Sequence, residues 1–426
     1  MMKKVDFLIV GGSAAGTTAA DTIRALQPDA SITIISDEPY EFYSRVLVPH
    51  YVRGKVQRDQ VFLKKPEWYE EKRIELLKGI KAVKLESDLK VVGLSDGSGI
   101  QYEKLLIAVG GYVIPFNVPG AEGANILYLR TIDDADKIVK AVSGSRKAVI
   151  IGGGFIGLEF ASCFKKLGIE DITILVIEDY FWQGKIDSES AGVIADVLVK
   201  NGVKINTKTA VDHFEGSTIV TKDGRRLEAD VIGVGIGIKP DLKWLEGSGI
   251  KINRGILTNE FLETNIDDIY AAGDCAEFRD LIFERQHIVG NWANATSQGT
   301  AVGKTITGQK TAFETASSYT TNFFDPPRPV SGEAGAPGGG SVSFIGVVEE
   351  NYADQVIVRG SKELGRVTRI FIKKFGQLTR IVGATVVNSV ADVAPLTMAV
   401  KNKTDISANV VQLQEASFDL KALLSE

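Results

Sequence analysis

A chain of 426 residues with 44% apolar and 24% charged side chains has the composition of a soluble globular protein of two or three domains. A net charge of -5 argues against nucleic acid or a membrane surface as the main partner, and no apolar run approaches the roughly 20 residues that cross a bilayer. The two cysteines, Cys163 and Cys275, form no close-spaced pair and suit a reducing cytoplasm, and no metal site is expected. The first element is a strand, Phe7 to Val10. Two lysines before it imitate a signal peptide, but the apolar stretch runs into glycines without a small-residue cleavage site. Next comes Gly11-Gly12-Ser13-Ala14-Ala15-Gly16, which opens a helix from Ala14 to Leu26, and then a β-branched strand from Ser31 to Ile35. Asp37 and Glu38 follow about 20 residues after the loop, where a carboxylate meets a ribose hydroxyl.

Further on, Glu67 to Leu77 reads as a helix, and Ala82–Leu85 and Lys90–Gly93 as short strands. Tyr102 to Gly111 is a buried strand that ends in Val109, Gly110 and a second glycine. The opening plan then repeats 141 residues after the first loop. A strand from Ala148 to Ile151 leads into Gly152-Gly153-Gly154-Phe155-Ile156-Gly157, a helix to Leu167 and a strand from Ile172 to Ile177. Backbone without Cβ atoms can lie against a pyrophosphate, and the following helix aims N–H groups at the charge. One such loop is a weak signal. Two, each opening a βαβ unit, imply two dinucleotides and a chain able to pass electrons between them.

A buried strand from Asp230 ends in Gly235 and Gly237, and Ile269 to Asp274 is a strand-to-turn ending in a carboxylate. Residues 311–426 alternate apolar and polar side chains, as an antiparallel sheet with helices would. A proline- and glycine-rich stretch, 326–341, reads as a flexible insert. The expected architecture is α/β, with two Rossmann-like, three-layer ββα nucleotide-binding domains plus a C-terminal α+β domain. The expected boundaries are 1–112 and 245–310 for one nucleotide domain, 113–244 for the other and 311–426 for the last.

The order of these motifs resembles the FAD-dependent pyridine-nucleotide oxidoreductases. The resemblance lies with the branch of ferredoxin and rubredoxin reductases, nitrite reductase flavoproteins and apoptosis-inducing factor. It rests on the Gly11 and Gly152 loops, Ser36 to Pro39 with Tyr43-Ser44-Arg45, Gly110-Gly111 and Ala272-Gly273-Asp274. It implies FAD at the first loop and NAD(P)H at the second. It further implies FAD contacts from Arg45, the Ala82 backbone, Arg130, the ribityl-binding Asp274, and Asn291 and Trp292 beside the flavin. Phe155 would gate the face where nicotinamide docks. Where relatives place a lysine paired with a glutamate, this chain has His50 and Glu159, expected within hydrogen-bonding or one-water reach of one another. The segment from Tyr43 to Tyr51 lacks the redox cysteine of the thiol-using relatives, so an oxidoreductase without a redox-active cysteine is expected.

The carboxylate position after the second-unit strand holds Val176, and Glu178 comes two residues late. No Arg or Lys lies between Val176 and Gly184 to grip a 2′-phosphate, which favours NADH. The acceptor implied by the resemblance is a small iron–sulfur protein. Residues 361–405 carry eight Lys or Arg against three Asp or Glu and could dock an acidic partner. Direct oxidation by O₂ or a quinone, a slow redox sensor and a homodimer are left open.

Overall fold

The computed structural model describes residues 2–324, 338–415 and 417–424. Most of the proline- and glycine-rich stretch at 326–341 lies outside them. The described chain divides into two compact units. The first holds the residues up to Leu47, Val56–Tyr112 and Ile238–Thr315. The second holds Val48–Lys55, Val113–Gly237 and the residues from Ala316 on. The short segment Val48–Lys55, inside the expected first domain, thus clusters with the second unit, as does the C-terminal part.

The first unit is built on a sheet in the order Ile74–Lys78, Ile32–Ser36, Lys3–Val10, Gly99–Ile107, Val91–Leu94, Ala82–Glu86, with Ile269–Ala271 also paired to Gly99–Ile107. Ile74–Lys78, Ile32–Ser36, Lys3–Val10, Gly99–Ile107 and Ile269–Ala271 pair in parallel. The apolar runs of the inner strands are buried on both faces, as parallel strands require, while the edge strand Ile74–Lys78 is buried only at Ile74. The helix Ala14–Leu26 covers one face and meets the helix Trp292–Ile306 closely enough to need glycine. A Cβ on Gly299 would lie 2.5 Å from the Ala15 carbonyl oxygen, and one on Gly303 would lie 2.7 Å from the Thr22 Cβ.

One expectation fails here. Glu67 to Leu77 is not one helix: the helix is Pro66–Glu71, and Ile74–Lys78 is the edge strand of the sheet. Arg73, with φ 50°, breaks the helix between them. Ile74, Leu76 and Leu77 find parallel partners in Ile32, Ile34 and Ile35, a pairing that helical spacing within the segment does not reveal.

The second unit contains a five-stranded parallel sheet in the order Val203–Asn206, Asp171–Leu175, Lys147–Ile151, Val231–Val234, Ile126–Leu127. An antiparallel meander of Val211–Glu215, Thr218–Thr221 and Arg226–Glu228 caps it through a shared core with Phe214, Ile219 and Ile232. The C-terminal part is a five-stranded antiparallel sheet, Ser318–Phe323, Gly340–Gly346, Leu378–Val387, Arg366–Phe375 and Gln355–Ser361 in spatial order, with the helix Val390–Lys401 against it. The fold is therefore two Rossmann-like domains with a C-terminal α+β part.

Candidate dinucleotide sites

In the first unit, four strands end level with one another. Val10 pairs with both Ile35 and Ile107, and Ala271 pairs with Ile107. The residues that leave those ends are Gly11, Asp37, Val109 with Gly110, and Asp274. Widely separated candidates thus gather at one carboxyl edge, where open parallel sheets bind ligands. Gly11 has φ +120°, and a Cβ there would lie 2.1 Å from the Ala108 oxygen. A Cβ on Gly16 would strike the Gly11 oxygen at 1.9 Å, so glycine alone lets the helix start this close to its strand. A Cβ on Gly12 would crowd the Ser36 Cβ at 3.1 Å, and the Gly12 carbonyl accepts a hydrogen bond from the Thr17 hydroxyl at 3.0 Å, which ties the loop to the helix. Ser13 caps that helix without a side-chain cap bond, and the first turn, which includes Ala14 and Ala15, carries no acidic residue. The helix N-terminus is therefore electrostatically fit for a pyrophosphate.

Asp37, Ala82 and Val109 line one pocket with Gly11, Lys81, Tyr112 and Trp244. Asp37 accepts a hydrogen bond from the Tyr112 hydroxyl at 2.5 Å. Glu38 is engaged by Arg45 and by the Tyr43 hydroxyl. Burial opposes the Arg45 charge, but Tyr43, Glu38 and Asp37 outweigh it and hold the guanidinium above its ordinary pKa. Asp274 is half-buried in the turn after Ile269–Ala271, whose Gly273 amide donates to Gln298 Oε1 at 2.7 Å. Asn291 caps the helix Trp292–Ile306 by accepting from the Asn294 amide at 2.8 Å. Trp292 stacks on Phe42, with ring centres 5.4 Å apart and planes 2° from parallel, so part of its ring surface serves the core.

In the second unit the same geometry recurs. Ile151 pairs with Leu175 and Val234, which sets the Gly152 loop between the strand ends that continue to Val176 and Gly235. Gly152 has φ +112°, and a Cβ on it would lie 2.4 Å from the Gly235 oxygen. A Cβ on Gly157 would lie 2.1 Å from the Gly152 oxygen. Gly154 differs: among the described residues a Cβ there meets nothing within 4 Å. Crowding does not explain that glycine, whereas close approach of a pyrophosphate to the backbone does. A Cβ on Gly235 would press on Ile156 at 3.0 Å, and Gly237, with φ +109°, turns the chain after the strand. Glu178 is exposed beyond the strand Asp171–Leu175. Beside it, Asp179 pairs with Lys208 at 3.3 Å, a cation that reading 176–184 alone did not reveal.

Phe155, in the first turn of the helix Phe155–Lys166, sits among three rings. Trp182 lies 4.9 Å away between ring centres, Tyr319 5.0 Å and Phe344 5.4 Å, and Tyr319 stacks on Phe344. One turn further along that helix is Glu159. Its carboxylate accepts from Arg53 Nη1 at 2.6 Å and from the Thr321 hydroxyl at 3.0 Å. A cation bonded to Glu159 is thus Arg53, three residues beyond His50 and not a candidate in the sequence. Arg53 is buried, at 7% exposure, and Glu159 is partly buried, at 16%. Burial raises the Glu159 pKa, and Arg53 and Thr321 only partly offset it. Arg130 lies at the entry to the helix Ile132–Val142, where Asp134 accepts from the Arg130 and Thr131 amides and closes a capping box.

Both cysteines are free and buried. Burial pushes the Cys275 thiol up to about 12, and it pushes the Cys163 thiol up strongly too. Neither is a thiolate near neutrality, so neither is a ready redox nucleophile. Among the described residues, no group of three or more His, Cys, Asp or Glu could hold a metal ion, and no helix is long and apolar enough to cross a membrane.

Two glycine loops, each at the carboxyl ends of parallel strands, are the arrangement of a dinucleotide-binding α/β protein. The chain belongs to the pyridine nucleotide-disulphide oxidoreductase family, which it matches over residues 5–299. It is 31% identical over 66% of its length to the nitrite reductase [NAD(P)H] of Bacillus subtilis, but spans only 36% of that protein. It is 33% identical to the NADH-rubredoxin oxidoreductase of Clostridium acetobutylicum, over 65% of this chain and 69% of the relative. Among solved structures, the covalent putidaredoxin reductase–putidaredoxin complex matches with a TM-score of 0.88 and 25% identity, over 99% of this chain and 98% of that one. The chain is an NAD(P)H-dependent flavoprotein oxidoreductase, with FAD and NAD(P)H as its cofactors.

Proposed function

We propose that this protein takes a hydride from NADH onto FAD and hands the electrons on to a small iron–sulfur protein in the cytoplasm. The reading assigns 1–112 and 245–310 to FAD, 113–244 to the nicotinamide nucleotide and 311–426 to the interface part. The observation that carries it is the repeated geometry at Gly11 and Gly152, each at the carboxyl edge of parallel strands, with Asp37 beyond the first and Glu178 two residues late beyond the second. The named relatives that act on rubredoxin or are bound to putidaredoxin support the acceptor class. Two buried, high-pKa cysteines leave no thiol relay to carry the electrons.

Bound FAD supplies the hydride acceptor and the means of releasing electrons one at a time. The chain's own residues do the rest. The amides after Ser13 and Gly154 meet the two pyrophosphates. Asp274 accepts from a ribityl hydroxyl, Asp37 and Glu38 serve the adenosine end, and Arg45 balances phosphate charge. Ala82, Val109 and Gly110 frame the adenine and flavin approaches, with Asn291 and the free edge of Trp292 at the pyrimidine side. In the second unit, Glu178 accepts from the NADH ribose. Gly235 and Gly237 leave room for the nicotinamide half, and Phe155 covers its docking face. The preference for NADH over NADPH rests on the lack of Arg or Lys between Val176 and Gly184, with Lys208 paired to Asp179 beside it.

Two measurements test the reading. Asp274→Ala should lose bound flavin by about tenfold, the order expected for one hydrogen bond to a charged acceptor. Anaerobic flavin reduction should be faster with NADH than with NADPH. Undiminished flavin in the variant contradicts the FAD assignment, and a preference for NADPH contradicts the cofactor choice.

A further inference from the structure

Arg369 belongs to the strand Arg366–Phe375 of the C-terminal sheet, yet its side chain serves the loop that follows the strand Asp171–Leu175. It is 5% exposed. Its guanidinium donates to the Lys185 carbonyl at 3.3 Å, lies 3.2 Å from Asp187 Oδ2 and pairs with Glu350. The Phe371 ring packs 5.3 Å from its charge. A buried guanidinium is costly unless it is paired, and here it is shared: Nη2 is held by Glu350, while Nη1 bonds the Lys185 carbonyl and the charge faces Asp187 at the far end of a loop in another part of the unit.

The loop needs such an anchor. Between Glu178 and Asp187 the backbone makes two left-handed residues, Trp182 with φ 51° and Gly184 with φ +88°. A tryptophan in that region is strained and persists only when its surroundings enforce it. The loop closes on itself through the Lys185 amide, which donates to the Trp182 carbonyl at 2.8 Å. Its middle carries two aromatic wedges. Phe181 is buried beneath the glycine loop, where a Cβ on Gly153 would come within 2.9 Å of it. Trp182 packs against Phe155 at 4.9 Å. Its start carries Glu178, and its end, Asp187, also caps the next helix by accepting from the Ser190 amide at 2.8 Å.

We propose that Arg369 is a positioning residue for the nicotinamide nucleotide. From the C-terminal sheet it pins loop 178–187, and the loop in turn sets Glu178, the glycine loop and Phe155. This rests on the reading that the second glycine loop binds NADH. A residue that acts only by holding the binding loop should alter nucleotide affinity and leave the reduction step itself nearly intact.

The test uses the flavin-loaded, full-length protein as wild type, Arg369→Met and Arg369→Lys. Stopped-flow reduction over a range of NADH concentrations separates the apparent Kd from the limiting rate. Trypsin cleavage after the exposed Lys185, with and without NAD⁺, reports on the loop independently of activity. The expected result for Arg369→Met is an apparent Kd weakened about tenfold, the effect of one lost charge-assisted hydrogen bond, with a limiting rate within about twofold. Cleavage after Lys185 should be faster, and full flavin content should be kept. Arg369→Lys should fall between, because it keeps the charge but not the fork. If the methionine variant does not retain flavin, the lysine variant carries the test with the same readouts. An unchanged Kd and unchanged cleavage in a flavin-replete variant overturn the proposal. A wild type that neither NADH nor NADPH reduces overturns the functional reading itself.

Discussion

Arg53 and Glu159 show how a single buried pair is decided by magnitudes. Burial pushes the Glu159 carboxyl above its ordinary pKa, and Arg53 and Thr321 recover only part of that shift. Lys55 adds a smaller opposing influence and Cys163, also facing this region, is neutral. A native carboxyl held above its ordinary value favours the folded state at low pH, and that advantage is lost as pH rises through the raised value. Removing Arg53 should raise Glu159 further and leave an uncompensated buried charge at high pH. Arg53→Met is therefore expected to cost about 3 kcal/mol at pH 8, and less at pH 5, nearer to the raised carboxyl value. Urea denaturation at the two pH values checks this, and a cost independent of pH would contradict it.

At the scale of elements, the helix pair Ala14–Leu26 and Trp292–Ile306 holds the first glycine loop to its sheet. Gly299→Ala sets two effects against each other. Alanine gains about 1 kcal/mol of helix propensity over glycine. Its Cβ would stand 2.5 Å from the Ala15 oxygen and 2.9 Å from the Thr18 Cβ, backbone and stem atoms that cannot swing aside. Overpacking of that kind costs about 2 kcal/mol or more, so the clash should win. The variant should melt lower and release flavin more readily, because the loop at Ser13 opens the displaced helix. A higher melting temperature would show that the two helices yield.

The same scale explains what was legible in the sequence. Local signals carried the glycine loops, the strands that feed them and the carboxylates placed by strand ends, because spacing alone determines them. The antiparallel pattern after residue 311 was legible for the same reason. The edge strand Ile74–Lys78 was lost because its apolar residues make sense only beside Ile32–Ser36, some 40 residues away. Arg53, Trp182 and Arg369 were missed for a related reason. Each acts through a partner in a distant segment: Glu159 for Arg53, Phe155 and Phe344 for Trp182, and the Lys185 carbonyl for Arg369. Lys208 escaped because a search confined to the loop cannot see a cation two residues past the neighbouring strand Val203–Asn206.

At the scale of the whole molecule, one chain holds two dinucleotide edges and no accessible thiol. Electrons must therefore leave by a carrier that is not built from this protein's cysteines. The basic stretch 361–405 is partly spent internally, since Lys362 pairs with Asp196 and Arg369 with Asp187. The remaining cations would steer an acidic partner in a salt-sensitive manner. The most direct measurement is a double-mixing experiment under anaerobic conditions. The flavin is first reduced with NADH, then mixed with a rubredoxin, a [2Fe–2S] ferredoxin, a quinone or O₂. The account predicts that an iron–sulfur protein reoxidises the flavin fastest and that added salt slows the step. Faster reoxidation by quinone or O₂, or no acceptor matching the rate of NADH reduction, would contradict it.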